Sequence, residues 1–197
     1  MLRLASLPRE RIEAVLLKRG ISPESIPEVR AALGVANVPL NAEEAVSYSF
    51  RGPYGVGRFG DGTFGVFYSA RAEPTCIEEI SYHHGRQLAE QRSGTFPHDR
   101  YYDLILCDFA GDTLTLLGAE AKYSDLVSPT EAGYPFCQRL AKVAIVQGVD
   151  AFYTRSARDQ NGTCVPIFNP KSITNAQSLT RFHFFAEASQ SRHERLS

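Results

Sequence analysis

A glycine-rich segment runs directly into a strand-like one: Gly55-Val56-Gly57-Arg58-Phe59-Gly60-Asp61-Gly62-Thr63-Phe64-Gly65-Val66-Phe67-Tyr68. Gly55–Gly60 matches the pattern G-x-G-x-x-G, but a dinucleotide-binding fingerprint needs a helix directly after the loop. β-branched and aromatic residues follow here instead, and they are typical of a strand. We therefore reject a Rossmann site and expect a flexible loop that presents one arginine, Arg58, to a ligand.

Around this segment the chain predicts a mixed α+β domain over residues 46–185. Several expected hairpins and few helices favour a mostly antiparallel sheet as its core. Helices are expected from Pro74 onward and over Pro135–Gly148, where Phe136, Leu140, Val143 and Ala144 would form the apolar side. The expected strands are Ala45–Arg51, Phe64–Tyr68, Tyr101–Phe109 with its hairpin partner Thr113–Leu117, Ala151–Tyr153, Cys164–Phe168 and Arg181–Phe185, and the expected loop is Gly52–Gly62.

The two ends of the chain differ from this central part. Residues 1–45 predict an N-terminal helical extension, with helices over Arg9–Gly20 and Pro27–Gly34 and a second short helix between them that is capped by Ser22–Ser25. This extension is expected either to pack on the domain as a lid or to serve as an oligomerisation or partner surface. Residues 186–197 are polar and are expected to form a frayed tail.

Composition excludes several classes of protein. The chain has 197 residues, of which 43% are hydrophobic and 22% are charged, enough for one domain with a core. Lysine and arginine total 21 against 22 acidic residues, so direct nucleic-acid binding is not expected. The sequence contains no run of about 20 apolar residues and no secretory signal. We therefore expect a cytoplasmic protein that does not enter a membrane.

The four cysteines are dispersed and predict no metal site. Cys76, Cys107, Cys137 and Cys164 form no C-x-x-C pair and no close cluster with histidine. Disulfides are rare in the cytoplasm, so each cysteine is expected to be a small buried hydrophobic residue.

Polar side chains that could carry chemistry are spread over the expected loop, strand, helix and turn: Arg51, Arg58, Tyr68, Glu79 and Ser156. His83 follows Glu79 by four residues, so the two share one face of a helix. Each of these residues taken alone also fits an ordinary structural role. Their combination is what points to a function.

Three blocks that contain these residues resemble the RES domain, a family named for its Arg, Glu and Ser. The blocks are Gly57–Ala70, Pro74–His83, and Tyr153–Arg158 together with Gly162–Pro170. They occur in the family order and frame about residues 46 to 185. No single block is specific to the family, so the resemblance rests on all three blocks in order and with family-like spacing.

Residue by residue, the resemblance assigns catalytic roles to Arg58, Tyr68, Glu79 and Ser156. Two neighbouring positions depart from the family pattern, because Phe59 stands where Trp is common and Cys76 where Ala is common. Glu79 rather than Glu78 is chosen because aligning Thr75-Cys76 with the family's Thr-Ala places it at the family glutamate. The choice between the two glutamates stays open.

RES domains resemble ADP-ribosyltransferase toxins in fold, and several are the toxin half of bacterial type II toxin–antitoxin pairs that consume NAD⁺. The resemblance implies cleavage of the nicotinamide–ribose bond with phosphate as acceptor, which is NAD⁺ phosphorylase activity. NAD⁺ is then a substrate, and no prosthetic group is expected. Water as acceptor would give an NAD⁺ glycohydrolase, and a protein side chain would give a mono-ADP-ribosyltransferase. A further alternative is a catalytically inactive binding module.

The same resemblance implies a partner and a set of substrate contacts. The partner is a cognate antitoxin, with an Xre-like helix-turn-helix region, that covers the active site. The Glu79 carboxylate would stabilise positive charge on the ribose, and Ser156 would orient the ribose or the acceptor. The residues expected to bind NAD⁺ or phosphate are Arg51, Gly57, Arg58, Tyr68, His83 and Arg158.

Overall fold

One mixed sheet organises the residues that the computed structural model describes, which are 1–5, 16–17, 20–32, 41–90, 100–187 and 190–196. Within them the strands are β1 (Leu2–Ala5), β2 (Phe67–Ala70), β3 (Arg100–Phe109), β4 (Thr113–Thr115), β5 (Ala151–Arg155), β6 (Thr163–Ile167), β7 (Ile173–Glu187) and β8 (Gln190–Leu196). Their order across the sheet is β4-β5-β6-β2-β1-β3-β7-β8. Among the strands that the structure describes, only β4 and β5 pair in parallel, which confirms the expected α+β fold with a mostly antiparallel sheet.

Helices cover both faces of this sheet. They are α1 (Ile26–Ala32), α2 (Ala42–Tyr48), α3 (Glu73–Glu90) and α4 (Tyr134–Val146), and short 3₁₀ turns occur at Pro23–Ser25, Ala119–Ala121, Ser124–Val127, Glu131–Gly133 and Pro170–Ser172. Leu104 packs with residues of α3, whereas Ile105 packs with Ala42 and Ala45 of α2. Since consecutive side chains of a strand point to opposite faces, α3 and α2 lie on opposite sides of β3.

The predicted helices α3 and α4 are confirmed, although the buried face of α4 differs from expectation. Cys137, Ala141 and Ala144 are buried there. Val143 is 62% exposed, so its expected place in the core is wrong. Small residues on the inner face let α4 approach the aromatic cluster formed by Phe59 and Phe152.

The expected strand over Ala45–Arg51 is wrong, because most of this segment belongs to α2. The Asn41 side chain accepts a hydrogen bond from the Glu44 backbone N–H at 2.9 Å and caps the helix. Ala42, Ala45 and Val46 form the buried face. The helix spacing of these small apolar residues outweighs the short two-residue alternation on which the prediction rested.

β1 is the main departure from the expected N-terminal helical extension. Leu2–Ala5 lies in the middle of the sheet, where Leu4 pairs with Leu104 of β3 and Leu2 pairs with Ala70 of β2. The helical prediction is therefore wrong for these residues, since four residues are too few to reveal a strand period. The division of the chain at residue 45 stays a prediction.

Further along the N-terminal segment, the described residues are helical where helices were predicted. Leu16 and Leu17 are helical, and Gly20 adopts a φ of 81°, a conformation that suits a helix end. The Pro23–Ser25 turn lies where the second helix was expected to be capped, and α1 overlaps the third predicted helix over Pro27–Ala32. Most of the predicted helix Arg9–Gly20 lies outside the described residues.

The C-terminal tail and one hairpin also differ from expectation. Gln190–Leu196 forms β8, which pairs antiparallel with the end of β7, so the expectation of a frayed tail is wrong for these residues. β4 pairs in parallel with β5, although Thr113–Leu117 was expected to form a hairpin with β3. The neighbours of β3 in the sheet are β1 and β7 instead.

Two remaining expectations concern strand bounds and cysteines. The strand expected over Phe64–Tyr68 begins only at Phe67, and the one expected over Arg181–Phe185 is part of the longer β7. Cys76, Cys107 and Cys137 are buried, as small hydrophobic residues would be, and Cys164 is half-buried. No helix within the described residues is long and apolar enough to cross a membrane.

The central position of β1 gives a stability prediction. Leu4 is 5% exposed, and Leu4→Ala is expected to lower the free energy of unfolding by about 2–5 kcal/mol because it leaves a cavity in the core. Leu179 on β7 is 51% exposed, so Leu179→Ala is expected to change it by about 0.5 kcal/mol or less. Urea unfolding of both variants measures the difference. Equal losses would show that β1 does not belong to the core of the sheet.

Candidate active site

A cavity of about 490 Å³ lies beside the glycine loop, between β2, α3, the loop after β5 and the first turn of α4. Six residues that the sequence analysis singled out line this one cavity: Gly57, Arg58, Tyr68, Glu79, His83 and Arg158. Ser156 lies directly behind Glu79. Arg51 is exposed, donates to the Ser47 hydroxyl and is not among the lining residues.

The expected loop over Gly52–Gly62 is confirmed, and internal contacts fix its shape. Gly57 N–H donates to the Gly60 carbonyl at 2.7 Å, and the Gln138 side chain on α4 donates to the Gly57 carbonyl at 2.9 Å. A Cβ atom at Gly57 would lie 2.7 Å from the Tyr68 hydroxyl oxygen. Glycine is therefore required at this position by the close approach of Tyr68.

Tyr68 joins the loop to the sheet. Its hydroxyl oxygen accepts a hydrogen bond from the Phe59 backbone N–H at 3.0 Å. Burial of the phenol end raises the pKa of Tyr68 to about 12, although the residue as a whole is 39% exposed. The phenol is therefore neutral at physiological pH and keeps a proton that it can donate. Tyr68 offers the cavity both an aromatic ring and a hydrogen-bond donor.

Arg58 projects from the loop toward the turns that precede α4. Its guanidinium donates to the backbone carbonyls of Asp125 at 3.1 Å and Ser128 at 2.7 Å. The guanidinium carbon also lies 5.4 Å from the centre of the Tyr134 ring. These contacts fix the direction of the side chain and use two of its five N–H donors. The cation is thus oriented while part of its hydrogen-bonding edge stays available.

Glu79 is held by donors from behind. The Ser156 hydroxyl donates to Glu79 Oε1 at 2.6 Å, and the Cys164 thiol contacts the same oxygen at 3.5 Å. Burial raises the pKa of Cys164, so this thiol stays protonated. Within the described part of the chain no hydrogen bond engages Oε2. The second carboxylate oxygen is therefore available to a ligand.

Ser156 acts on Glu79 and not on the cavity directly. It is 4% exposed, and its hydroxyl oxygen accepts hydrogen bonds from the backbone N–H groups of Arg158 and Asp159, both at 3.0 Å. Because this oxygen accepts both of these hydrogen bonds, its own proton is directed to Glu79. Glu78, in contrast, is exposed and is not among the lining residues. The geometry therefore favours Glu79 over Glu78 as the carboxylate of the site.

Three basic side chains, His83, Arg86 and Arg158, line the α3 side of the cavity. Arg86 pairs with Glu131 at 2.7 Å, and Arg158 lies over the ring of Tyr82. Burial, opposed by Glu79 and reinforced by the nearby arginines, lowers the pKa of His83, so the imidazole is uncharged at neutral pH. No group of three His, Cys, Asp or Glu side chains among the described residues could hold a metal ion.

Sequence reasoning missed several residues of this site. Tyr82 and Arg86 follow Glu79 by three and seven residues, so continuing the Glu79–His83 spacing along α3 would have found them. Glu131 lies just before α4 and Tyr134 is its first residue; both are outside every motif, and no local signal marked them. β1 was missed as an element, and its residues Arg3 and Leu4 contribute to the cavity wall.

The fold and the cavity together define an α+β domain with an oriented carboxylate, a neutral phenol and several arginines around one pocket. The family model of the RES domain matches residues 31–186, and the chain belongs to the RES domain family. This membership is consistent with an NAD-related toxin of a toxin–antitoxin system and associates the chain with NAD-acting enzymes. A search of curated proteins found no match.

The contact between Gly57 and Tyr68 gives a second prediction. Gly57→Ala is expected to displace Tyr68 and to lower the free energy of unfolding by about 1–3 kcal/mol, since the added methyl group overpacks the site. Gly55→Ala is the matched control in the same loop, because no atom lies within 4 Å of the added Cβ. Urea unfolding compares the two variants. An equally small effect of both would contradict the packing of Tyr68 against the loop.

Proposed function

We propose that this protein degrades NAD⁺ by cleaving the nicotinamide–ribose bond and transferring the ADP-ribosyl group to inorganic phosphate. One observation supports this most directly: Arg58, Tyr68 and a Glu79 held by Ser156 meet in a single cavity. Membership of the RES family supports NAD⁺ as the substrate. We further propose that the mixed sheet is related to that of ADP-ribosyltransferase toxins.

Glu79 stabilises the charge that develops when the bond breaks. As the bond between the ribose and the pyridinium nitrogen lengthens, its electron pair moves to the ring nitrogen and positive charge develops on the ribose. Opposite unit charges about 4 Å apart attract by about 4 kcal/mol at an effective dielectric constant of about 20, which corresponds to about a thousandfold in rate. Nicotinamide leaves as a neutral molecule, so the leaving group needs no acid.

Tyr68 and Arg58 place the dinucleotide against this carboxylate. The Tyr68 ring stacks on the nicotinamide ring, and its neutral phenol donates to a ribose hydroxyl. Arg58 binds the pyrophosphate through the N–H groups that its contacts with Asp125 and Ser128 leave available. Arg51 has no part in this arrangement because it lies outside the cavity.

The acceptor completes the reaction. An oxygen of hydrogen phosphate forms the new bond to the ribose carbon, and the products are nicotinamide, ADP-ribose-1″-phosphate and a proton. Water in place of phosphate yields free ADP-ribose, and a protein side chain yields an ADP-ribosylated protein. The reaction products therefore identify the acceptor.

The role of Glu79 is tested with purified protein, NAD⁺ and phosphate. We expect nicotinamide release, which Glu79→Gln lowers by about a thousandfold because the charge that stabilises the transition state is lost. Glu78→Gln, a change of the exposed neighbour, is the matched control and is expected to keep its rate within about twofold. Chromatography of nicotinamide and phosphorus NMR of the sugar phosphate measure the outcome.

The other outcomes of this experiment separate the alternatives. An unchanged rate in Glu79→Gln would refute the assignment of the carboxylate. Free ADP-ribose would identify a glycohydrolase, and label transferred from NAD⁺ to a protein band would identify an ADP-ribosyltransferase. A folded protein that binds NAD⁺ but releases no nicotinamide would be a binding module. Ser156→Ala keeps the Glu79 carboxylate but removes the hydrogen bond that orients it. We therefore expect a smaller loss of nicotinamide-release rate than in Glu79→Gln.

We also propose a protein partner, because uncontrolled loss of NAD⁺ would kill the cell that makes the enzyme. The partner is a cognate antitoxin with an Xre-like helix-turn-helix region that covers the cavity. Co-expression of the protein encoded by the neighbouring reading frame is expected to yield a complex and to suppress nicotinamide release. A neighbour that neither binds this chain nor suppresses the release would exclude it as the antitoxin.

A further inference from the structure

Arg158 is held in an unusual way at the edge of the cavity. Its guanidinium carbon lies 3.3 Å from the centre of the Tyr82 ring, so the planar cation stacks on an aromatic face. Tyr82 is itself fixed, since its hydroxyl donates to the Pro129 carbonyl at 3.2 Å. Among the residues that the structure describes, no hydrogen bond or ion pair engages the Arg158 guanidinium. The cation is thus oriented by its face and keeps its N–H edge available.

The other arginines of the cavity all have protein partners: Arg3 donates to the Ser49 hydroxyl at 2.7 Å, and Arg155 pairs with Glu120 at 3.6 Å. Arg58 donates to two backbone carbonyls, and Arg86 pairs with Glu131. His83 is uncharged at neutral pH because burial lowers its pKa. Arg158 therefore differs from these neighbours, because among the described residues its guanidinium N–H groups make no hydrogen bond or ion pair. A guanidinium in this state suits an anion that accepts two hydrogen bonds, such as a phosphate group.

A chain of hydrogen bonds links Arg158 to Glu79. The Arg158 backbone N–H donates to the Ser156 hydroxyl at 3.0 Å, and that hydroxyl donates to Glu79 at 2.6 Å. The turn that carries the cation thus also positions the carboxylate of α3. A phosphate dianion that approaches the ribose must come close to Glu79, which repels it. A fixed cation on the same turn offsets that repulsion.

We infer that Arg158, mounted on Tyr82, forms the subsite for the attacking phosphate, distinct from the part of the cavity where Arg58 binds the pyrophosphate. This inference rests on the proposed function and adds the location of the second substrate. Arg158 binds the phosphate, and Tyr82 is a positioning residue that sets the plane of the guanidinium. One phosphate oxygen is thereby directed to the ribose carbon as the bond to nicotinamide breaks.

The inference is tested by separating the two KM values. Arg158→Gln is expected to raise KM for phosphate about 10- to 100-fold, because hydrogen bonds to a charged group are lost. The same variant is expected to leave KM for NAD⁺ within about twofold of the unmodified value. Arg139→Gln, a change of an exposed arginine on α4, is the matched control and leaves both KM values unchanged. A rise in KM for NAD⁺ with no change for phosphate would assign Arg158 to the dinucleotide and overturn the inference.

Variants of Tyr82 test the aromatic support. Tyr82→Leu removes the stacking face and is expected to raise KM for phosphate, whereas Tyr82→Phe keeps the ring and is expected to restore a value close to that of the unmodified protein. If Tyr82→Leu does not fold, Arg158→Lys provides the test instead. Lysine keeps the positive charge but loses the planar guanidinium that stacks on the ring and donates two parallel hydrogen bonds. A KM for phosphate that stays unchanged in Arg158→Lys and Arg158→Gln would also overturn the inference.

Direct binding separates failure of this inference from failure of the proposed function. Calorimetric titration of the unmodified protein with inorganic phosphate is expected to show binding that Arg158→Gln abolishes and Arg139→Gln preserves. Absence of nicotinamide release from the unmodified protein would refute the proposed function, while phosphate binding that depends on Arg158 would still support the subsite. Phosphate binding that is equal in all three proteins, or absent from the unmodified one, would refute the subsite.

Discussion

The short hydrogen bond from Ser156 to Glu79 is the interaction on which the site depends. It connects α3 with the loop after β5, two segments separated by 77 positions in the chain. The serine hydroxyl is buried, and its oxygen accepts hydrogen bonds from two backbone N–H groups. Its proton is therefore directed to Glu79. The orientation of the carboxylate is therefore set by the backbone of a turn. A hydroxyl elsewhere in the cavity could not orient Glu79 in the same way unless the backbone of that turn changed.

The same turn is anchored a second time. The Thr75 hydroxyl in the first turns of α3 donates to Asp159 at 2.7 Å, and Gly162 packs closely against Thr75. The distance between helix and loop is thus fixed at two points. Such preorganisation matters because a catalytic carboxylate that must first be oriented loses part of its electrostatic effect.

The sequence allowed prediction of elements whose signals are local and long enough. α3 and α4 show helix spacing with proline near the entry, and β3 is a ten-residue strand. Short or context-dependent elements were missed: β1 has four residues, and β8 is a polar strand that exists because β7 offers it an edge. These elements are stabilised by partners distant in the chain, which no sequence window contains.

The site shows the same division between local and distant signals. Glu79 and His83 share a face of α3 because of their spacing, and the glycine loop marked Arg58. Arg51 was expected in the site because it flanks the same loop, yet its guanidinium bonds to Ser47 of α2. Ser156 was expected to contact a substrate, but its burial behind Glu79 makes it a support. Residue type indicates what a side chain can do, whereas the fold determines what it reaches.

The central position of β1 has a consequence for synthesis on the ribosome. Leu2 pairs with Ala70 on one side and with Leu106 on the other. β1 can therefore not be paired on both sides until Leu106, which follows Leu2 by 104 positions, has emerged. Pairing between strands that lie so far apart in the sequence slows folding. Until β3 has been made, one edge of β1 is exposed to pairing with other chains. Because the cavity wall combines residues of β1 with Cys164 and Pro166 of β6, a nascent chain has no complete pocket before β6 has been translated.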